Sequence, residues 1–150
     1  RYRLKHPLSD VGPQLIAMLE QQFGPKARWQ EPSDVVSLVD GQRLGLAGFE
    51  LTVLHAPGHT EGSVMFRLPE VPEGVDGSGA SSTVLSGDVL FAGSIGRTDL
   101  AGGDGAAMNR SLRDVVLPLP DDVLVLPGHG PATTMERERA TNPYLQGLTP

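Results

Sequence analysis

The stretch LTVLHAPGHTEGSV, residues 51–64, decides how the rest of the chain is read. Its apolar run stops at the Pro57-Gly58 turn, and a histidine, His59, follows at once. A buried strand that ends this way delivers the next polar side chain to the rim of a sheet, where a site can be built on a rigid element. The same grammar recurs twice downstream, in TVLSGD (residues 83–88) and VLVLPGH (residues 123–129). Each time an apolar strand closes at glycine, and a side chain able to ligate a metal comes next. His59, Asp88 and His129 are therefore expected to form three edges of one metal site.

Composition narrows what such a site can be. With 150 residues and 39% hydrophobic side chains, one domain over residues 1–150 with a real core is expected. No apolar run approaches the roughly 20 residues of a membrane helix, and the opening RYRLKHP lacks the apolar segment of a signal peptide. A cytoplasmic protein with no membrane association is the expectation. Cysteine is absent, which leaves any metal to His and carboxylate ligands. A net charge of -6 with scattered basic residues argues against a nucleic-acid partner. Nineteen glycines and 13 prolines suit short strands and active-site loops better than a helical bundle.

Working outward, Val11, Leu15, Ile16, Met18, Leu19 and Phe23 share one face before Gly24-Pro25, predicting a packing helix over about 10–23. Residues 35–39 read as a short strand ahead of a tight Asp40-Gly41 reversal, and 44–47 and 49–55 as strands on either side of Gly48. Residues 63–68 form another strand. Residues 69–82, PEVPEGVDGSGASS, are poor in apolar side chains and predict an exposed, flexible loop. Strands follow over 83–86 and 89–92. Residues 93–105 then read as one long glycine-rich loop, without the Gly-Lys-Ser/Thr ending of a phosphate loop. Asp104 begins a helix through Met108, Leu112, Val115 and Val116 to Leu117. Residues 123–126 are the last strand, and Thr133 or Thr134 caps a short helix carrying Glu136 to Arg139.

Taken singly, none of the three candidate ligands persuades. A lone histidine after a turn is more often a hydrogen-bonded structural residue, and aspartate after glycine is usually a turn residue or helix cap. Together they supply what a borderline Lewis-acid metal needs: neutral imidazoles, one carboxylate able to bridge, and short glycine loops that let side chains converge without blocking substrate.

The segments LHAPGHTEGS (54–63), SGDVLF (86–91), GRTD (96–99) and LPGHG (126–130) resemble the metallo-β-lactamase superfamily, and within it the short glyoxalase II-like hydrolases. The ending, from Thr133-Thr134 through Glu136 and Glu138 to Asn142-Pro143-Tyr144-Leu145, is similar to that branch as well. The resemblance spans residues 48 to 145 and implies an α/β fold, the four-layer αββα sandwich. It also implies that His59 ligates a first metal, His129 a second, and that Asp88 bridges the two and positions the attacking hydroxide. The implied reaction is hydrolysis of a small-molecule thioester of the S-acylglutathione type, with two divalent ions polarising the carbonyl and activating water. Zinc is the first expectation, and His and Asp donors suit iron and manganese as well. His55 matches the pattern in a structural, hydrogen-bonding role. Arg97 and Asp99 match it as a pair that fixes the loop beside the site.

The superfamily's other signature, His-x-His-x-Asp-His, is not among these 150 residues. Each metal position is then left with one histidine and the shared Asp88, whereas catalytic zinc usually takes three protein ligands. The expectation is of the C-terminal two-thirds of a longer enzyme with the N-terminal part of the fold missing. This stretch alone would bind metal weakly or not at all and would be inactive. An uncovered sheet edge and face would then favour self-association. Two other readings stand beside the hydrolase. One is a mononuclear iron persulfide dioxygenase of the same superfamily, using His59 and Asp88 but not His129; the other is a non-catalytic scaffold whose metal site has decayed.

Overall fold

The structure, a computed structural model, describes residues 13–24, 36–76 and 79–148. Two compact units divide the chain, Arg1–Ser37 and Leu38–Pro150. In the first, the described element is helix α1, Pro13–Phe23. The start expected near Asp10 lies outside the described residues. Met18 and Phe23, expected on a packed face, are instead exposed. Helical spacing aligns apolar side chains along one stripe but does not itself supply a surface to bury them.

The second unit is built on strands β1 (Arg43–Leu46), β2 (Phe49–His55), β3 (Val64–Leu68), β4 (Ser82–Gly87), β5 (Leu90–Phe91), β6 (Ser94–Ile95), β7 (Val123–Pro127) and β8 (Thr133–Thr134). Its helices are α2 (Gly105–Ser111) and α3 (Met135–Thr141), and α2 runs on into a π-helical turn over Leu112–Val116. Six strands form one sheet in the order β1-β2-β3-β4-β7-β8, and β5 and β6 form a separate hairpin. The fold is thus mixed α/β, of the type expected, with the described residues supplying one large sheet.

Local chemistry accounts for the joints. Ala47 and Gly48 both have positive φ, 52° and 86°, the turn whose twist matches an antiparallel pair, and it joins β1 to β2. The Asp40-Gly41 reversal forms, closed by Gln42 N donating to the Val39 carbonyl at 3.0 Å. The strand expected before it does not form over residues 36–39, and Val35 lies outside the described residues. There the Val39 amide donates to the Gln42 side chain at 2.9 Å, so its backbone is satisfied within the turn instead of in a ladder. The connection from β3 to β4 is largely exposed, and β4 begins at Ser82.

Two further expectations are corrected. Residues 93–105 are not one loop, because Ser94 and Ile95 pair with Phe91 and Leu90 across the Ala92-Gly93 turn. Nor is β7 the last strand: Thr133 and Thr134 return antiparallel beside Val125 and Leu124. Both pieces are two residues long, too short for any periodicity to announce them. The helix begun by Asp104 ends in a π turn, with Leu117 N bonded to the Leu112 carbonyl at 2.9 Å.

One core lies where α2, the π turn and α3 cover a face of the sheet. Met65, Val84, Val123 and Val125 from the strands meet Met108, Leu112, Val116 and Met135 from the helices, all essentially without solvent exposure. Strand alternation turns Val53, Phe66, Leu85 and Leu126, which pair in one row, to the opposite face. Among the described residues no helix is long and apolar enough to cross a membrane.

Strand direction positions the site. β2 is antiparallel to β3 and β3 to β4, so β2 and β4 run the same way, and β7 is parallel to β4. Three C-terminal strand ends therefore open at the same end of the sheet, where α/β proteins place their ligands. The three stretches that share one grammar in the sequence are these three strands.

Candidate metal centre

His59 reaches the site on a loop with little freedom. Ala56 N donates to the Ser63 carbonyl at 2.9 Å and Gly58 N to the Thr60 carbonyl at 3.0 Å, closing the loop on itself. Helix α2 grips it from outside: Asp104 N donates to the Gly58 carbonyl at 2.8 Å and Ser111 Oγ to the Pro57 carbonyl at 2.7 Å. Asp88 follows directly on β4. His129 follows Pro127-Gly128, and Gly128 N donates to the Gly87 carbonyl at 2.8 Å, tying the exits of β7 and β4 together.

Asp88 lies between the two imidazoles. Its Oδ2 is 3.4 Å from His59 Nε2, and its Oδ1 is 3.6 Å from His129 Nε2. The structure thus brings together all three expected ligands. Among the described residues no set of three or more His, Asp or Glu side chains closes on one point as a single ion's ligand sphere. The arrangement is instead two His–Asp pairs sharing one carboxylate, one pair per oxygen. A cleft of about 430 Å³ opens over it, lined also by Phe91, Ser94, Ile95, Arg97 and Pro131.

The donor chemistry fits a cation. His59 Nδ1 lies 2.8 Å from the Arg97 carbonyl oxygen, which can only accept, so Nδ1 carries a proton. In the neutral ring the lone pair is then on Nε2, facing a carboxylate oxygen, and two acceptors confronting each other repel unless a cation stands between them. A backbone carbonyl that sets the tautomer in this way is the usual support of a metal-ligating histidine. His129 is steadied differently, by the Phe91 ring at a centroid separation of 4.4 Å and an interplanar angle of 33°. Its side chain is 72% exposed against 23% for His59, so the two positions differ in access to solvent.

Backbone crowding explains two glycines. A Cβ at Gly96 would run into the Asp88 carbonyl oxygen and lie 3.2 Å from His59 Cβ. At Gly128 it would come within 2.7 Å of Asp88 Oδ1. Any larger residue would take space that Asp88 occupies.

The remaining expected residues support the site from its edges. His55 Nε2 donates to the Glu61 carbonyl at 3.1 Å, and the His55 amide donates to Asp40 Oδ1 at 2.8 Å. Arg97 grips Asp99 with two bonds, Nε to Oδ1 at 2.8 Å and Nη2 to Oδ2 at 2.7 Å. That bidentate bond holds the Asp99 carboxyl down to about 2 and raises the Arg97 guanidinium. Phe91, Gly96 and Gly128 lie within the motifs read from the sequence, which gave Phe91 and Gly96 no role of their own and Gly128 only that of closing a strand. Ala92-Gly93 between the short apolar pieces Leu90-Phe91 and Ser94-Ile95 was the available sign of the hairpin that carries Phe91.

Comparison with known proteins follows the same residues. No family model matches the chain. An uncharacterized protein of Mycobacterium tuberculosis is 41% identical over 150 residues, 99% of this chain and 62% of the relative. Hydroxyacylglutathione hydrolase GloC of Haemophilus influenzae is 41% identical over 106 residues, 71% of this chain and 45% of the relative. A probable metallo-hydrolase of Bacillus subtilis, YqgX, is 40% identical over 119 residues, covering 79% and 51%. Among solved structures, the B3 metallo-β-lactamase BLEG-1 matches with a TM-score of 0.70 and 32% identity, over 97% of this chain and 64% of that one. TTHA1623, solved in a di-iron-bound form, matches with a TM-score of 0.63 and 39% identity, over 93% and 60%. The chain spans less than two thirds of the length of each of these proteins. The names of the relatives and the likeness to these solved structures together support placing this chain in the metallo-β-lactamase superfamily, whose type of fold it shares.

Proposed function

We propose that this chain serves a metal-dependent hydrolase of small-molecule thioesters of the S-acylglutathione type, with His59, Asp88 and His129 in a two-metal site. One observation carries the reading: the two oxygens of Asp88 face two different imidazoles, at 3.4 and 3.6 Å. The substrate class draws its support from the name of the GloC relative, and the two-metal site also from the di-iron form of the solved neighbour. Divalent ions bound here supply Lewis-acid polarisation of a carbonyl and activation of water. The chain's own residues do the rest. Arg97's carbonyl holds the His59 tautomer, Asp88 divides its charge between the two positions, and Phe91 steadies His129. Zinc, iron and manganese all suit these donors. The described residues offer two protein ligands per ion, short of the three usual for catalytic zinc, so the chain is proposed to bind metal weakly and to be inactive.

A mononuclear iron site for persulfide oxidation is the second reading. It is favoured by the burial contrast, since His59 is far more enclosed than His129 and makes one of the two positions the better sheltered. Metal counting on the full-length protein separates the two. Under the hydrolase reading, His129→Ala loses one ion of two and Asp88→Asn loses both, with thioester turnover falling at least a hundredfold. A parent that holds one ion and keeps it in His129→Ala favours the oxidative reading, and undiminished thioester turnover in Asp88→Asn overturns the hydrolase.

The chain is further proposed to self-associate. β1 stands at an edge of the sheet, with Leu46 and the neighbouring Val39 exposed.

A further inference from the structure

The hairpin of β5 and β6 forms one wall of the cleft, yet each of its strands has only two residues. A hairpin of that size is not stable by its own ladder. Its backbone groups are taken up from α3. Glu138, fully buried, accepts at Oε2 from Gly93 N at 2.8 Å and from Asn142 Nδ2 at 2.8 Å, and at Oε1 from Thr133 Oγ1 at 2.6 Å. Asn142, also fully buried, directs the same Nδ2 to the Ser94 carbonyl at 3.1 Å, with the Phe91 carbonyl at 3.5 Å. One carboxyl and one amide, four residues apart, thus gather the polar groups on both sides of the Ala92-Gly93 turn. A buried polar group is tolerated when it is bonded in this way, and its partners are then held tightly.

What the pair holds is the ring beside His129. Phe91 belongs to β5, and its ring lies 4.4 Å from the His129 imidazole. We propose that Glu138 and Asn142 are positioning residues for the metal centre: they fix the β5–β6 hairpin, the hairpin fixes Phe91, and Phe91 sets the direction in which His129 presents Nε2. Neither side chain lines the cleft. The consequence for metal binding rests on the two-metal reading above, whereas the packing of the two rings does not.

The test reads the ring and the metal separately. In the metal-free chain, the His129 ring protons carry a ring-current shift from Phe91, which Phe91→Ala removes. Glu138→Ala is expected to remove it too, while the methyl resonance of Met65, deep in the sheet, stays in place. Glu138→Gln is expected to keep the shift, because its amide oxygen still accepts from Gly93 and Asn142 and its amide nitrogen can donate to the Thr133 hydroxyl. A parent-like His129 shift in Glu138→Ala overturns the proposal. If that variant does not fold, Asn142→Ala decides in the same way, by loss or retention of the shift. In the full-length protein titrated with Co(II), Glu138→Ala and Phe91→Ala are each expected to weaken binding about tenfold, with Glu138→Gln close to the parent. Equal affinities in all four proteins overturn the link to the metal. A parent that takes up no cobalt refutes the two-metal reading instead, and the ring protons then decide this proposal alone.

Discussion

Asp88 is crowded on its backbone side and open on its carboxylate side, which is what a shared ligand requires. Gly96 packs against its carbonyl and Gly128 against its Oδ1, so neither position has room for a Cβ. Gly96→Ala is expected to cost about 1–3 kcal/mol, because the added methyl meets backbone, which cannot swing aside as a flexible side chain would. A urea unfolding midpoint unchanged by that substitution would count against the packing described. The same crowding makes the spacing of glycine and ligand in the sequence intelligible. The glycines do not merely end strands; they keep clear the space in which Asp88 and His59 meet.

At the scale of elements, α2 and its π-helical extension both cover the sheet and hold the His59 loop. Asp104 caps α2, its side chain accepting from Ala106 N and Ala107 N, and these bonds, that from Ala107 foremost, lower its pKa. The Asp104 amide meanwhile bonds the loop at Gly58. Leu112, without solvent exposure, sits where the helix loosens to the π register. Leu112→Ala is expected to destabilise by about 2–5 kcal/mol through the cavity it leaves, read from chemical denaturation. If the loss stays below 1 kcal/mol, the π turn is not the anchor described. The sequence announced this helix by its apolar spacing and by Asp104, but not its π ending, since a spacing of five is decided by what the side chains pack against. The expected strand is absent over residues 36–39 for a related reason: Val36 and Val39 have β propensity but no neighbouring strand over the described residues to pair with.

At the scale of the whole molecule, β1 is, among the described residues, one of the two edge strands of the six-stranded sheet and is largely exposed. Sedimentation at micromolar concentration is expected to show an associated species, and Leu46→Lys to shift it toward monomer by placing charge at that edge. A monomer at all concentrations would refute the proposed self-association. The sequence by itself determined the strands over 49–55, 83–86 and 123–126, the last two of which run one residue further in the structure, and named the candidate ligands beyond them, because an apolar run, a glycine and a polar side chain are local signals. Only the tertiary structure decided that β2, β4 and β7 point the same way, and so that His59, Asp88 and His129 meet. It also decided that Glu138, one residue in the charge run Glu136-Arg137-Glu138-Arg139, is buried under the hairpin beside the site. Direction and burial depend on which elements become neighbours, and residues 45 positions apart, such as Gly93 and Glu138, carry no mark of each other until the chain has folded.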